Sequence, residues 1–153
     1  MTNIKIANTQ LAKIISVIAE RLKEVPGLDF VYLFGSYCSG KPTVMSDVDI
    51  AIYTTPKLPL MDLGKIILDL ECELHLPVDM IRLNELYREK PAMAMEIVQT
   101  GHLLLCPNKN THIRFKHLTY LFYLDTQPLR QKVKARFLRR VSAGKFGERN
   151  YVE

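Results

Sequence analysis

The sequence predicts an α/β fold: a small mixed sheet with helices packed on one side and a helical C-terminal extension. Short apolar runs of strand length alternate with longer segments of helical periodicity, and a long helical stretch follows the last strand. The chain has 153 residues, enough for one domain with its own core, and it contains no repeat or low-complexity linker. We therefore expect a single domain over residues 1–153, with a core over about 8–106 and the helical, basic extension over about 110–153.

Four segments in the first part of the chain carry the periodicity of regular structure. They predict a helix over about 9–25, a strand over 30–34, a strand over 47–54 and a helix over about 60–74. Pro26 and Gly27 stop the first helix, while Gly40, Lys41 and Pro42 mark a loop between the two strands.

The second part of the chain continues the alternation. It predicts a strand over 78–81, a helix over 91–100, a strand over 103–106 and a long helical stretch over about 111–141. Pro128 interrupts that stretch, and Asp125 or Thr126 could cap a new helix there. The apolar segment 118–124 is expected to pack in the core rather than against a partner.

Composition excludes several classes of protein. With 48% hydrophobic and 24% charged residues the chain is globular rather than disordered. Its three cysteines are widely spaced, which predicts reduced thiols, and no apolar run resembles a signal peptide or a membrane span. We expect a cytoplasmic protein that does not contact a membrane.

The net charge of +5 is concentrated near the C-terminus. Residues 130–149 contain eight basic side chains and one acid, Glu148. Such a segment could bind nucleic acid or an acidic protein, but a solvated helix face is the commoner explanation and is favoured here.

Two aspartates at the start of the second strand are the strongest chemical signal. Asp47 and Asp49 are two residues apart, so in a strand their carboxylates point to the same face and repel each other unless a cation lies between them. Mg²⁺ prefers oxygen ligands and is commonly shared between one or two carboxylates and substrate phosphates. The pair therefore predicts a magnesium site for a phosphorylated substrate.

A third acid, Asp79, lies in the third predicted strand. If that strand pairs beside the second, three carboxylates can hold two Mg²⁺ ions, one at the attacking oxygen and one at the leaving pyrophosphate. Asp79 is then the candidate general base.

A Gly-Ser pair at the end of the first strand completes the predicted site. Gly35 lets the backbone approach a phosphate, and the following N–H groups with the Ser36 hydroxyl could cradle the β and γ phosphates of a triphosphate. Ser39, Lys41 and Ser46 complete the candidate nucleotide-binding set. Cys38, in the same loop, is expected to fill space rather than act as a nucleophile, because no base adjoins it.

The order Gly-Ser, ten residues, Asp-x-Asp, with Ser46 before the first Asp, resembles the DNA polymerase β nucleotidyltransferase superfamily. Within it the chain is most similar to the minimal nucleotidyltransferases that serve as adenylyltransferase antitoxins of HEPN/MNT toxin–antitoxin pairs. The resemblance implies a polymerase-β-like fold, with Mg²⁺ and ATP bound through the three aspartates and the Gly-Ser pair. It also implies transfer of AMP to a tyrosine of a cognate HEPN ribonuclease, a separate chain held in a hetero-oligomeric complex.

One departure concerns the loop. Many relatives read G-S-x-A-R-G, whereas this chain has Ser39 where they have Arg, followed by Gly40 and Lys41. Lys41 could supply a cation, although Lys lacks the bidentate fork of Arg. Weaker nucleotide binding is therefore expected, but the three acids are intact.

Three other functions remain open. The chain could transfer a nucleotide to a small molecule of the aminoglycoside type, although such enzymes usually have a further domain for the acceptor. It could be an antitoxin that acts by binding alone, or an RNA-binding protein that uses its basic segment. Neither of the last two explains three aligned carboxylates.

Overall fold

The structure is a computed structural model that describes residues 2–43 and 45–145. The end of the predicted extension, residues 146–153, lies outside the described residues. The elements, in chain order, are α1 Thr2–Leu22, β1 Leu28–Phe34, β2 Val48–Thr54, α2 Leu60–Leu74, β3 Val78–Arg82, α3 Leu86–Glu89, α4 Pro91–Thr100, β4 His102–Leu105, α5 Lys109–Asp125 and α6 Gln127–Ser142. A short 3-10 turn, Gly35–Tyr37, follows β1. The predicted α/β character is confirmed.

The four strands form one mixed sheet in the order β3-β2-β1-β4. The central strand β1 pairs antiparallel with β2 and with β4, whereas β2 and β3 are parallel. The parallel pair is possible because α2 provides the crossover between β2 and β3. The predicted mixed sheet is therefore confirmed, and its register brings the starts of β2 and β3 side by side.

One face of the sheet packs against α1 and α2, and we call it the first face. Every second residue of the strands points to this first face. These residues are aliphatic because they lie between the sheet and the two helices, where water is excluded. Ile18 and Leu22 of α1 and Leu70 of α2 are fully buried there. The strand residues of this face are Val31, Leu33, Val48, Ile50, Ile52, Val78 and Met80.

The opposite, second face is covered by α3, α4 and α5. Phe30 and Tyr32 of β1 pack there against Phe115 of α5 and Ile97 of α4. The expectation that helices pack on one side of the sheet is therefore wrong. The aromatic residues that alternate with the aliphatic ones in β1 make both of its faces apolar, so each needs a helical layer.

The first helix differs from its predicted bounds at both ends. It begins at Thr2 rather than near residue 9, because no Pro or Gly interrupts the preceding residues. It ends at Leu22, after which the Val25 N–H donates to the Leu22 carbonyl and the chain turns. Gly27 then adopts φ 72°, with Thr55 O only 2.3 Å from where a Cβ would stand. This tight approach to the end of β2 requires glycine.

The two C-terminal helices meet at Thr126, two residues before Pro128. The predicted side-chain cap of the new helix is absent at Thr126, because its hydroxyl donates to the Phe122 carbonyl of α5 instead. Residues Leu121 and Leu124 of α5 are exposed, so the prediction that segment 118–124 lies in the core is wrong in part. Only one side of α5 faces the sheet, and the described residues leave Leu121 and Leu124 on the other side exposed. Helix α6 has no buried residue at all.

Two smaller predictions concern thiols and membranes. Cys38, Cys72 and Cys106 are all free, as their spacing indicated. Within residues 2–43 and 45–145, no helix combines the length and the apolar character that crossing a bilayer would require.

Candidate active site

The sheet register places two of the three predicted acids next to each other. Asp49 is paired with Asp79 across the parallel strands β2 and β3, and on its other side Asp49 is paired with Phe34 of β1. Both aspartates alternate with first-face residues, so both point to the second face. Asp47 lies two residues before Asp49, just outside the strand, and is exposed.

Gly35 brings backbone into direct contact with this acidic pair. It has φ 75°, and a Cβ placed on it would stand 2.1 Å from Oδ2 of Asp49. Any side chain here would displace the carboxylate, so the glycine is required by the contact and by the left-handed backbone. The predicted role of Gly35 was an approach to phosphate. The approach to Asp49 is an additional constraint that the sequence pattern alone could not reveal.

The loop after Gly35 is organised by its own hydrogen bonds. The N–H groups of Cys38 and Ser39 both donate to the Gly35 carbonyl at 3.2 Å, and that of Lys41 donates to the Ser36 carbonyl at 3.2 Å. The Ser39 hydroxyl also donates to the Ser36 carbonyl, at 3.0 Å. Ser36 thus lies in a tight turn beside Asp49, whereas the Ser39 side chain is occupied within the loop and the Lys41 side chain is exposed.

Ser46 has a structural partner that the sequence analysis missed. Its hydroxyl accepts a hydrogen bond from the Thr43 N–H at 2.7 Å and lies 3.1 Å from the Thr43 hydroxyl. Its own N–H donates to the Thr43 carbonyl at 3.0 Å. The T-x-x-S spacing, typical of a turn closed by a hydroxyl, was the available signal. These bonds orient the chain just before Asp47.

The charges of the site are mutually repulsive. Partial burial raises the pKa of Asp49 above its ordinary value, and the neighbouring Asp79 and Asp47 raise it further. A carboxylate that is desolvated and faces two like charges is stabilised by any cation placed among them. The site therefore has the electrostatic property expected of a cation site.

The donor set fits Mg²⁺ shared with a substrate better than a closed protein cage. Among the described residues, no three His, Cys, Asp or Glu side chains converge in a way that could hold a metal by themselves. Mg²⁺ often takes only one or two carboxylates and completes its coordination with phosphate oxygens and water. The adjacent Asp49 and Asp79 satisfy that smaller requirement.

Cys38 lies close to this site but is a poor nucleophile. Its thiol donates to the Leu33 carbonyl at 2.8 Å. Burial raises the pKa of Cys38, and the charge of Asp49 adds to the increase. The thiol therefore stays protonated and inert near neutral pH, which agrees with the expectation that it fills space.

An apolar cavity of about 530 Å³ lies far from the acids. Its lining includes Gly27 at the start of β1, Thr55 at the end of β2, and Leu58 and Ile66 near and in α2. Asp49 and Gly35 occupy the opposite ends of the same two strands. This cavity is not part of the candidate active site.

Comparisons with known proteins agree with this arrangement. Residues 16–110 match the family model described as "Polymerase beta, Nucleotidyltransferase". A search of curated proteins found no match.

Solved structures share the fold. A chain of a toxin–antitoxin structure with AMP-PNP is 23% identical, with a TM-score of 0.57 over 84% of this chain and 96% of that one. A chain from Shewanella oneidensis is 19% identical, with a TM-score of 0.59 over 88% and 96%. A mutant of the MntA-HpeT toxin–antitoxin pair is 21% identical, with a TM-score of 0.54 over 87% and 96%.

At these identities the solved structures establish the fold, which is that of the polymerase-β-like nucleotidyltransferases. The family model covers more than half of the chain and spans Gly35, Ser36 and all three aspartates. The chain belongs to the polymerase β nucleotidyltransferase family.

Proposed function

We propose that the protein is an antitoxin adenylyltransferase that transfers AMP from ATP to a tyrosine of a cognate HEPN ribonuclease toxin. Nucleotidyl transfer is supported above all by the pairing of Asp49 with Asp79 on adjacent parallel strands, where the Gly35 backbone lies against Asp49. The fold shared with the toxin–antitoxin chains supports the choice of acceptor.

Each residue of the site has a task in this reaction. Asp47 and Asp49 would hold one Mg²⁺ ion, and Asp79 would help to hold a second. When bound, the ions neutralise the phosphate oxygens and stabilise charge on the leaving group. The Ser36 hydroxyl binds the β and γ phosphates and Lys41 adds positive charge. The N–H groups of Cys38, Ser39 and Lys41 instead hold the turn together, through the Gly35 and Ser36 carbonyls.

The covalent change is a displacement at the α-phosphorus. A bond forms between the tyrosine oxygen and the α-phosphorus, and the bond from that phosphorus to the bridging oxygen breaks, which releases pyrophosphate. Asp79 accepts the proton of the hydroxyl group. It is suited to this because it is exposed beside the half-buried Asp49, where a large acceptor can reach it.

Ser39 and Ser46 are assigned a supporting role. Their hydroxyls are already engaged within the loop, with Ser36 and Thr43 respectively. We infer that they shape the loop rather than bind the nucleotide themselves. We infer that the reaction takes place in the cytoplasm, where ATP is available.

The decisive experiment compares the wild type with Asp47→Asn/Asp49→Asn. The protein is incubated with Mg²⁺, ATP labelled at the α-phosphate and the HEPN-family protein encoded beside it. We expect the wild type to label the partner. The variant should transfer AMP about 100-fold more slowly or worse, because the charge stabilisation that a metal ion supplies is worth several kcal/mol. Asp62→Asn, a half-exposed acid of α2 that pairs with Lys65, is the matched control and should keep full activity.

Equal labelling by both proteins would contradict the proposed site. Suppression of the toxin in cells by the double variant would show that contact alone neutralises it. Labelling of an aminoglycoside instead of the protein would favour the small-molecule alternative.

A further inference from the structure

Helix α6 exposes an apolar row that the rest of the described chain leaves uncovered. Leu129, Val133 and Phe137 recur every four residues and are 64%, 60% and 61% exposed. Residues four apart lie on the same side of a helix, so the three form one continuous stripe. Apolar rows of this kind on a soluble protein usually mark a contact site.

The same helix is strongly cationic. It carries six basic side chains and no acidic one. By helical spacing, Lys132 and Arg136 lie along one edge of the apolar row, and Lys134 lies beyond its other edge. We use the term α6 docking surface for Leu129, Val133 and Phe137 with these three basic residues.

The base of α6 is held firmly although none of its residues is buried. The Arg130 guanidinium stacks on the Tyr123 ring at 3.9 Å from the centroid and donates to the Tyr123 carbonyl at 2.8 Å. It also donates to the Thr126 hydroxyl. These contacts fix the direction of α6 relative to α5, the helix that packs on the second face of the sheet. The docking surface is thus presented in a defined orientation.

The combination of features favours a protein helix as occupant. Anchors at i, i+4 and i+8 suit an amphipathic helix laid alongside, and Arg prefers carboxylates that it can bind in a bidentate manner. A second copy of α6 would bring six positive charges against six more. Single-stranded RNA would require stacking platforms, and Phe137 is the one aromatic residue of this helix.

We propose that the α6 docking surface binds a helix of the partner toxin that presents apolar residues beside Asp or Glu side chains. This inference rests on the proposed function, because it identifies the partner as the acceptor of AMP. It adds that the acceptor is recognised by a helix outside the catalytic sheet. Binding and chemistry would then depend on separate residues.

The test measures binding and AMP transfer separately for the full chain and the HEPN-family protein encoded beside it. In Val133→Ser/Phe137→Ser we expect at least about 30-fold weaker binding, since central anchors are commonly worth 2 kcal/mol or more. Transfer should show a raised KM for the toxin with kcat retained. In Lys132→Glu/Arg136→Glu binding should weaken most at low salt.

The matched control is Leu60→Ser/Met61→Ser, which removes two apolar side chains of α2 that are 69% and 77% exposed. It should bind as tightly as the wild type. None of the substituted residues is buried, so all variants should melt at the wild-type temperature.

The outcomes separate the two proposals. Binding that the α6 substitutions leave unchanged would overturn the docking surface while transfer stands. Normal α6-dependent binding without any transfer would overturn the proposed catalysis and keep the docking surface. The proposal would also be overturned if the α6 substitutions left toxin binding unaffected but abolished another interaction of the wild type. Self-association, RNA binding or binding to anionic vesicles would each assign the surface to that other occupant.

Discussion

The two faces of the sheet are built from alternate residues of the same strands, yet they serve different purposes. The first face is aliphatic along its whole length and is closed by α1 and α2. The second face is aromatic where helices cover it and acidic at the end where Asp49 and Asp79 are paired. A strand can therefore be anchored by one set of side chains while the other set carries chemistry.

Strand β2 shows this most sharply, because Asp49 and Ile50 are consecutive. Ile50 is fully buried on the first face between Leu33 of β1 and Met80 of β3. A register slip of one residue would bury Asp49 and expose Ile50. The packing of the first face thus fixes the position of the acids on the second.

The largest expected effect on stability is that of Ile50→Ala. Removing a fully buried isoleucine leaves a cavity and should lower the free energy of unfolding by about 2–5 kcal/mol, measured by denaturant titration. The neighbouring Asp49→Asn should not lower it, because the substitution removes a carboxylate whose pKa is raised by burial and by Asp79. If Asp49→Asn destabilised as much as Ile50→Ala, the assignment of separate roles to the two faces would be wrong.

A second test compares Gly35→Ala with Gly40→Ala. Both glycines have φ near 70°, so either substitution should cost about 1–2 kcal/mol of stability from the left-handed backbone alone. A Cβ at Gly35 also meets the Asp49 carboxylate, whereas a Cβ at Gly40 lies within 4 Å of no atom of the described residues. Activity should therefore fall far more in Gly35→Ala than in Gly40→Ala.

Rates of AMP transfer and melting temperatures, measured side by side, decide between these expectations. Similar losses of activity in both variants would mean that glycine is needed at position 35 for the loop conformation rather than for the contact with Asp49.

Much of the fold was predictable because its signals are local. The bounds of α2 and α4 follow from helical periodicity and from Pro91 and Gly101, and both match the structure. The proximity of Asp79 to Asp49 was predicted on the condition that the third strand pairs beside the second, and the strands do pair in that way. These features depend on periodicity and on short connections.

Other features depend on distant contacts that no local pattern encodes. The second helical layer arises because Phe30 and Tyr32 meet Phe115, more than 80 residues later in the chain. The approach of Gly35 to Asp49 depends on the register of β1 against β2. The convergence of Asp47 with the other two acids stays a prediction, as do the roles of Ser36 and Lys41 toward a nucleotide.

The smallest expected effect is on the pH dependence of stability, and it arises from a polar contact in the part of the second face that helices cover. The Tyr32 hydroxyl lies 2.6 Å from Nε2 of His112, whose ring also contacts Phe30. Burial lowers the pKa of His112, and the charge of Lys116 lowers it further. The folded protein therefore binds a proton at His112 less readily than the unfolded chain does.

The sign of the resulting pH dependence follows from this difference. Below the ordinary histidine pKa of about 6.5 the unfolded state takes up more protons, so the free energy of unfolding should decrease as the pH falls from 7 to 5. His112→Gln should make this decrease shallower, as measured by urea titration at several pH values. His117→Gln, on the exposed side of the same helix, is the matched control and should keep the wild-type slope. Equal slopes in all three proteins would show that His112 binds protons alike in the folded and unfolded states, and would contradict the expected contribution of His112.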